Sequence, residues 1–311
     1  MSPEILRGVP LAEYTTFRIG GPARFLAIPS TVGELAGLVR WAHQEGVPLL
    51  LLGGGSNILV GDGGFPGLVV VTRGLVDVEI EGDRIRSRGG VFLGLLSAMA
   101  LRAGLSGLEP LGGIPGTLGG ALLMNAGAYG RFLGEMVEEV EVLVDGEVEA
   151  LKGGEVEWGY RWSSLRGYTV VGATLRLVPG EIETIREEMA RYSRLRRQKQ
   201  PLDFPSAGSV FKNPPGESAG RLIEEAGFKG ARVGDAMVSP VHANFIINLG
   251  RARARDVRTL VALVKEGVRE EFSILLEEEI VYAGVFEAGE DEDRPPAGRT
   301  IVGEGGIPQN G

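Results

Sequence analysis

Residues 111–130 read LGGIPGTLGGALLMNAGAYG, and seven of these twenty residues are glycine. Glycine loses the most backbone entropy on ordering and has no side chain to pack, so such a segment is poor material for a core. It does allow peptide N–H groups to approach an anion closely. Thr117 is predicted to open a short helix, whose N-terminus adds partial positive charge. The stretch therefore predicts one wall of a site for a diphosphate-containing cofactor, the alternative being a glycine-rich loop without a ligand.

The composition of the chain excludes several classes of protein. Its 311 residues suffice for two or three domains, and its 50 glycines are about twice the usual share. The net charge of −9, without basic residues interleaved with aromatic ones, argues against nucleic acid as a partner. The absence of cysteine excludes disulfides and thiolate metal sites, and two histidines argue against a histidine metal centre.

The N-terminus lacks the basic start and apolar run of a signal peptide, and no run of eighteen apolar residues occurs. We therefore expect a cytoplasmic protein that has no membrane segment and binds no metal. We also expect it to act as a monomer on small molecules.

A β-α-β unit is predicted near the N-terminus. A strand is expected over residues 24–29, a helix over 32–45 that begins at a capping box (Thr31 and Glu34), and a buried strand over 48–52. The second strand runs into GGGSN, residues 53–57. Open α/β sheets bind ligands at the carboxyl ends of parallel strands. We therefore predict a phosphate loop here, with a plain turn as the alternative.

The rest of the chain mixes hairpins and helices, which indicates an α+β fold. No glycine fingerprint of the ordinary Rossmann type, no P-loop and no nucleophile elbow is present. The tail from residue 289 is rich in charge, Pro and Gly and is predicted to be disordered. The patterns predict strands over 68–72 and 168–177, hairpins turning at 82–83 and 145–146, helices over 91–103 and 182–197, a linker over 201–205, and a C-terminal unit with helices over 219–226 and 255–275 and strands over 242–249 and 279–286.

Three places carry reactive groups that packing does not require. Arg161 lies between aromatic residues and is either aimed at a carboxylate or enolate oxygen or stacked at the surface on Trp162. Ser209 follows a small, open approach and precedes Lys212 and Asn213, a combination suited to an anionic substrate and to proton transfer. Glu279 begins a strand and is either a surface end or an inward-pointing acid.

A basic run ends the predicted helix over residues 182–197. It favours a solvated face with cations near a helix C-terminus, and the alternative is a local attraction for an anionic substrate. The run comprises Arg191, Arg194, Arg196, Arg197 and Lys199.

Taken together, these motifs resemble the UDP-N-acetylenolpyruvoylglucosamine reductase family. The resemblance begins at TTFRIGG (15–21) and extends to about residue 285, nearly the whole ordered chain. The interval between Arg161 and Ser209 is short, so the chain is similar to the shorter class that lacks an extra tyrosine loop. The family motifs occur in order: GGGSN (53–57), GGIPGTLGG (112–120), NAGAYG (125–130), YRxS (160–163), AGSxFKNP (207–214), HANFIIN (242–248) and an acidic residue before the last strand.

The resemblance implies a vanillyl-alcohol-oxidase/PCMH-type FAD-binding fold. It implies FAD-binding subdomains over residues 1–72 and 73–202 and an α+β substrate-binding domain over 203–288, before the tail 289–311. FAD would be bound non-covalently. Its implied ligands are Gly53, Gly54, Gly55, Ser56, Asn57, Gly113, Ile114, Pro115, Gly116, Thr117, Gly119, Gly120, Asn125, Ala126 and Gly127.

The resemblance also implies a reaction in peptidoglycan precursor synthesis. NADPH would reduce FAD, which would pass hydride from N5 to C3 of the enolpyruvyl group of a UDP-sugar. Ser209 would protonate C2, and Arg161 and Glu279 would stabilise the enolate. The implied substrate ligands are Lys212, Asn213, Tyr160 and His242.

Two other functions remain open at this stage. One is another oxidase or dehydrogenase on the same FAD fold, and the other is a cofactor-free protein that binds nucleotide sugars.

Overall fold

The computed structural model describes residues 3–286, and the predicted disordered tail lies outside the described residues. The first unit is a four-stranded sheet of order β1-β2-β5-β3. β2, β5 and β3 run parallel, and helix α1 connects β2 to β3, which confirms the predicted β-α-β unit. The bounds are β1 Leu6–Pro10, β2 Pro22–Ala27, α1 Val32–Gln44, β3 Leu49–Leu52, β4 Ile58–Val60 and β5 Phe65–Val71.

The helix start follows the predicted signal. The hydroxyl of Thr31 accepts a hydrogen bond from the Glu34 N–H at 3.2 Å, as an N-cap does. The Glu34 carboxylate accepts from the N–H and the hydroxyl of Ser30, one residue earlier than the predicted capping box.

The second unit is a five-stranded antiparallel sheet of order β9-β8-β10-β7-β6, which confirms both predicted hairpins. The two helices that flank residues 103–117 form an apolar core with this sheet, and a third helix packs against the first of them. The bounds are β6 Val78–Glu81, β7 Arg84–Arg88, α2 Leu93–Arg102, α3 Leu118–Leu123, β8 Val137–Val144, β9 Glu147–Lys152, β10 Thr169–Arg176 and α4 Ile182–Lys199. Short two-stranded ribbons pair Leu105–Ser106 with Val178–Pro179, Gly127–Ala128 with Arg131–Phe132, and Trp158–Gly159 with Trp162–Ser163.

The third unit is a four-stranded antiparallel sheet of order β11-β14-β13-β12, packed against two helices. Its core also contains Phe17, Ile19 and Leu59, which come from the N-terminal part of the chain. The bounds are β11 Ser206–Ser209, α5 Ala219–Glu225, β12 Arg232–Val233, β13 Ala236–Val238, β14 Phe245–Asn248 and α6 Ala254–Phe272.

The last strand does not join the C-terminal sheet, although the sequence pattern grouped it there. β15 (Val281–Ala283) pairs in parallel with β4 of the first unit. β4 is fully buried and lies outside the first sheet, so β15 supplies its hydrogen-bonding partner. The strand is followed by Gly284, which has a φ of +84°. A Cβ on Gly284 would lie 2.1 Å from the Gly64 oxygen.

Side chains also fasten the third unit to the first. The Asp62 carboxylate accepts hydrogen bonds from the N–H groups of Ala254 (3.0 Å) and Arg255 (3.2 Å), and so caps α6 from another unit. The Asn248 amide donates to the Phe17 carbonyl at 3.1 Å. The first and third units therefore share both a core and a hydrogen-bonded seam.

No helix within residues 3–286 is long and apolar enough to cross a membrane. Over the same residues, His, Asp and Glu side chains form no group of three or more that could hold a metal ion.

Asp62→Ala should destabilise the protein, because it leaves two helix-terminal N–H groups without their acceptor. We expect the free energy of unfolding to fall by about 1–2 kcal/mol, measured by urea denaturation. Asp77→Ala, at an exposed acidic residue of the same chain, is the matched control. Equal effects of the two substitutions would contradict a capping role for Asp62.

Candidate active site

Two glycine loops that lie apart in the sequence contact each other. Residues 53–57 follow β3, and residues 112–117 are the last part of the connection from α2 to α3. A Cβ on Gly53 would lie 2.3 Å from the Thr117 hydroxyl oxygen, and a Cβ on Gly54 would lie 2.9 Å from the Pro115 carbonyl oxygen. Only glycine permits this approach, so the two predicted phosphate loops form one site.

The two loops present a set of backbone donors without protein acceptors. Within residues 3–286, none of the N–H groups of residues 53–57 donates a hydrogen bond to the protein, nor do those of Gly113, Gly116, Thr117 and Gly120. The Thr117 hydroxyl is buried and also lacks a partner. Donors left without an acceptor are costly unless something else accepts from them. A diphosphate supplies several anionic oxygens to such a cradle, and the residues present therefore fit the predicted cofactor.

A segment that the sequence analysis did not select supports the second loop. Gly119 donates to the Gly89 carbonyl, and Leu118 donates to the Val91 carbonyl, both at 2.8 Å. Gly90 lies so close to the first unit that a Cβ would be 2.0 Å from the Thr72 oxygen. The sequence feature that could have indicated this segment is the pair Gly89–Gly90, which directly follows the hairpin predicted to turn at residues 82–83.

The Asn125 side chain is occupied within the protein. Its Oδ1 accepts from the Gly134 N–H at 2.9 Å, and its Nδ2 donates to the Gly159 carbonyl at 3.0 Å. The residue is buried and has a left-handed backbone, with a φ of 40°. Its side chain thus holds the ribbon that carries Arg161, and a contact of Asn125 with FAD stays a prediction.

Arg161 points into the molecule and pairs with Glu279. The Arg161 Nε lies 2.7 Å from the Glu279 Oε1; because the N–H does not point at this oxygen, the contact is an ion pair rather than an aligned hydrogen bond. Arg161 Nη1 donates to the Gly127 carbonyl at 3.2 Å, and the guanidinium lies 5.2 Å from the centroid of the Tyr160 ring. The pair is mostly buried, which excludes the surface alternative for each residue.

The backbone of Glu279 connects the site to both neighbouring units. Its N–H donates to the Val210 carbonyl at 2.7 Å, beside Ser209, and its carbonyl accepts from the Asn57 amide at 3.2 Å. Burial raises the pKa of the Glu279 carboxyl, against the opposing effects of the Arg161 and Lys212 cations. The carboxyl therefore holds its proton more strongly than an exposed glutamate does.

Ser209, Lys212 and Asn213 lie along the segment that leads from the end of β11 to α5. Ser209 pairs with Phe245 in the sheet, and the preceding Gly208 passes the GGGSN loop. The Lys212 ammonium pairs with the Glu277 carboxylate. Asn213 contacts the Tyr160 hydroxyl through its N–H at 3.4 Å, and its side-chain oxygen accepts from the N–H of Ala219, the first residue of α5, at 3.0 Å.

His242 lies at the beginning of α5. A Cβ on Gly220 would be 3.0 Å from the His242 Cε1, and the imidazole Nδ1 accepts from the Asn244 N–H at 3.2 Å. Burial, followed by the nearby Lys229 cation, lowers the pKa of His242. It is therefore a neutral hydrogen-bonding group, separate from the Arg161–Glu279 pair.

Comparison with known proteins agrees with this geometry. The model of the UDP-N-acetylenolpyruvoylglucosamine reductase C-terminal domain matches residues 200–283, and that of an FAD binding domain matches residues 23–152. The reductase of that name from Moorella thermoacetica is 50% identical over 279 residues, covering 89% of this chain and 92% of the relative. The chain belongs to the UDP-N-acetylenolpyruvoylglucosamine reductase family.

Other relatives support the same assignment. The family member from a Synechococcus strain is 45% identical and aligns over 92% of this chain and 94% of its own length. The crystal structure of the reductase from Thermus caldophilus superposes with a TM-score of 0.79 at 42% identity, covering 91% of this chain and 99% of that one. Family membership confirms the predicted α+β fold and an FAD-dependent oxidoreductase.

The raised pKa of Glu279 makes a prediction about stability. A carboxyl whose pKa is higher in the folded state loses stability as the pH rises from its unfolded value through its folded value. Glu279→Gln does not titrate at this position, so its comparison with the parent isolates the contribution of the Glu279 carboxyl. The stability of Glu279→Gln relative to the parent should therefore increase as the pH rises above 4.5, measured by urea denaturation of both proteins.

A relative stability that falls over the same pH interval would contradict this account. It would mean that the Arg161 cation dominates over burial and that the carboxyl pKa is lowered in the folded protein.

Proposed function

We propose that this chain reduces the enolpyruvyl group of UDP-N-acetylglucosamine enolpyruvate to give UDP-N-acetylmuramate, a step of peptidoglycan precursor synthesis, with NADPH as the electron donor. The names of its relatives support the substrate class. The observation that carries the proposal is the buried Arg161–Glu279 pair, bonded through Glu279 to both the Ser209 segment and a glycine loop. We expect the protein to act as a cytoplasmic monomer.

The site suits a reaction in which negative charge develops on a carboxylate. FAD, when bound, supplies hydride from N5 of its reduced ring to C3 of the substrate. Arg161 offers a fixed cation to the enolate oxygens, and the raised pKa of Glu279 makes its carboxyl better able than an exposed glutamate to donate a hydrogen bond to them. Both groups are oriented by the protein before the charge develops, so little reorganisation is needed.

Ser209 is the proposed acid that protonates C2. The approach of Gly208 to the GGGSN loop supports a position of the Ser209 hydroxyl near the cofactor cradle. A serine hydroxyl is a weak acid, so its oxyanion needs a nearby cation, and Arg161 is the group to which we assign that role.

The proposed substrate ligands come from two units. Tyr160 and Asn213 contact each other across the boundary, and Lys212 and His242 extend the set along the third unit. We propose FAD-binding subdomains over 1–72 and 73–202 and a substrate-binding domain over 203–288. One apolar core that lies wholly within residues 85–177 and another drawn mostly from residues 207–280 support this division. The shared core and seam described above keep the third unit attached to the first.

Ser209→Ala should separate the two half-reactions. We expect the variant to keep FAD and to be reduced by NADPH at the parent's rate, because neither step needs the hydroxyl. Reoxidation by the enolpyruvyl nucleotide should slow by about 10²–10⁴-fold, the range for loss of a general acid. Anaerobic stopped-flow absorbance of the flavin measures both rates.

Ser206→Ala, in the same strand, is the matched control and should leave both rates within about twofold of the parent. Equal slowing of the two half-reactions in Ser209→Ala would contradict its role as the acid. Failure of the enolpyruvyl nucleotide to reoxidise the reduced parent protein would contradict the proposed substrate.

A further inference from the structure

One residue of the basic run in α4 does not share the solvated face that the sequence pattern favoured. Arg191, Arg194, Arg197 and Lys199 are exposed, whereas Arg196 is partly buried. Arg191 pairs with Glu188, and Arg197 donates to the Ser193 hydroxyl on the outer side of the helix. Arg196 projects inward, toward Gly113, so a solvated helix face does not account for its position.

The Arg196 guanidinium has no partner among the described residues. Within residues 3–286 it donates no hydrogen bond, and no carboxylate lies within ion-pair distance. Burial lowers the pKa of Arg196, and the only opposing effect comes from Tyr129. A partly buried cation without a protein partner is incompletely solvated, and a bound anion would supply its counter-charge.

The direction of Arg196 is fixed by its contact with the second glycine loop. A Cβ on Gly113 would lie 3.0 Å from the Arg196 Cδ and 3.3 Å from its Nη1. A methyl group at residue 113 would therefore force the Arg196 side chain to shift by a few tenths of an ångström. Tyr129, at the other end of the same stretch, packs on Tyr192 of α4 with ring centroids 4.8 Å apart.

Arg196 therefore lies against the loop that carries the unpartnered N–H groups of Gly113, Gly116 and Thr117. Those N–H donors carry only partial positive charges, and the helix that follows them, α3, is only six residues long. A guanidinium provides a full, permanent positive charge and forms charge-assisted hydrogen bonds, which are about twice as strong as neutral ones.

We propose that Arg196 is the cationic residue of the FAD site, and that Gly113 leaves the gap through which its guanidinium reaches a negatively charged part of FAD. The negative charge is that of the diphosphate or that which the ring gains on reduction. The inference rests on FAD binding alone and is independent of the roles proposed for Ser209 and the UDP-sugar.

Arg196→Met in the holoenzyme tests the proposal, with Arg197→Met as the matched control one position along the helix. The FAD dissociation constant is measured by flavin fluorescence on dilution, and the midpoint potential by equilibration with a redox dye. Neither measurement uses NADPH or the sugar nucleotide. Circular dichroism of each variant establishes that it is folded.

We expect Arg196→Met to bind FAD about 10- to 100-fold more weakly, whereas Arg197→Met stays within about twofold of the parent. If the partner is the diphosphate, the oxidised and reduced forms lose affinity equally and the midpoint potential is unchanged. If the partner is the reduced ring, that form loses about tenfold more affinity, and the potential falls by about 30 mV.

Gly113→Ala provides a second route to the same result. The added methyl group forces the Arg196 side chain to shift while the Gly113 N–H remains, so FAD affinity should fall, but by less than in Arg196→Met. In an Arg196→Ala background the clash is absent, and Gly113→Ala should then change FAD affinity less than about twofold.

A folded Arg196→Met holoenzyme with unchanged FAD affinity and unchanged midpoint potential would overturn the proposal. So would a change confined to the KM for the sugar nucleotide, which would assign Arg196 to the substrate. Equal effects of Gly113→Ala in the parent and in the Arg196→Ala background would contradict the role given to Gly113.

Discussion

The close contact between two glycine loops is the constraint on which the rest of the structure depends. Residues 53–57 and 113–117 approach so closely that side chains at Gly53 or Gly54 would collide with the Thr117 hydroxyl or the Pro115 carbonyl. The first loop follows the parallel strand β3, and the second leads into α3 of the next unit. Their contact therefore joins the apolar core beside β3 to the core of the second unit. It also gathers the unpartnered N–H groups of both loops into one cradle.

The first loop also positions the chemistry. Asn57 accepts a hydrogen bond from Val281 and donates one to the Glu279 carbonyl, so the last strand is attached to the end of the cofactor loop. Glu279 then meets Arg161, which a ribbon of the second unit carries and Asn125 helps to hold. The acid–cation pair is therefore assembled from two units and is fixed relative to the cradle. Only glycine at the loop contact and an amide at residue 57 allow this arrangement.

Local patterns predicted much of the fold, because glycine loops, helix starts and hairpin turns are encoded by neighbouring residues. The β-α-β unit, both hairpins and the two loops are examples. The pairing of β15 with β4 and the capping of α6 by Asp62 join residues about two hundred positions apart, and local sequence contains no signal for them. The inward direction of Arg196 was equally hidden, since charge alone does not distinguish it from the exposed arginines beside it. The two glycine loops predicted to bind FAD contact each other, whereas the Asn125 amide is used within the protein.

Hydrogen exchange of the backbone amides, compared between FAD-loaded and FAD-depleted protein, tests the central claim most directly. The account predicts that FAD slows exchange at residues 53–57 and at Gly113, Gly116, Thr117 and Gly120, whose N–H groups have no acceptor in the described chain. Exchange in the hairpin strand Glu147–Lys152, remote from the cradle, should be unchanged. Protection by FAD that omits both glycine loops would contradict the account.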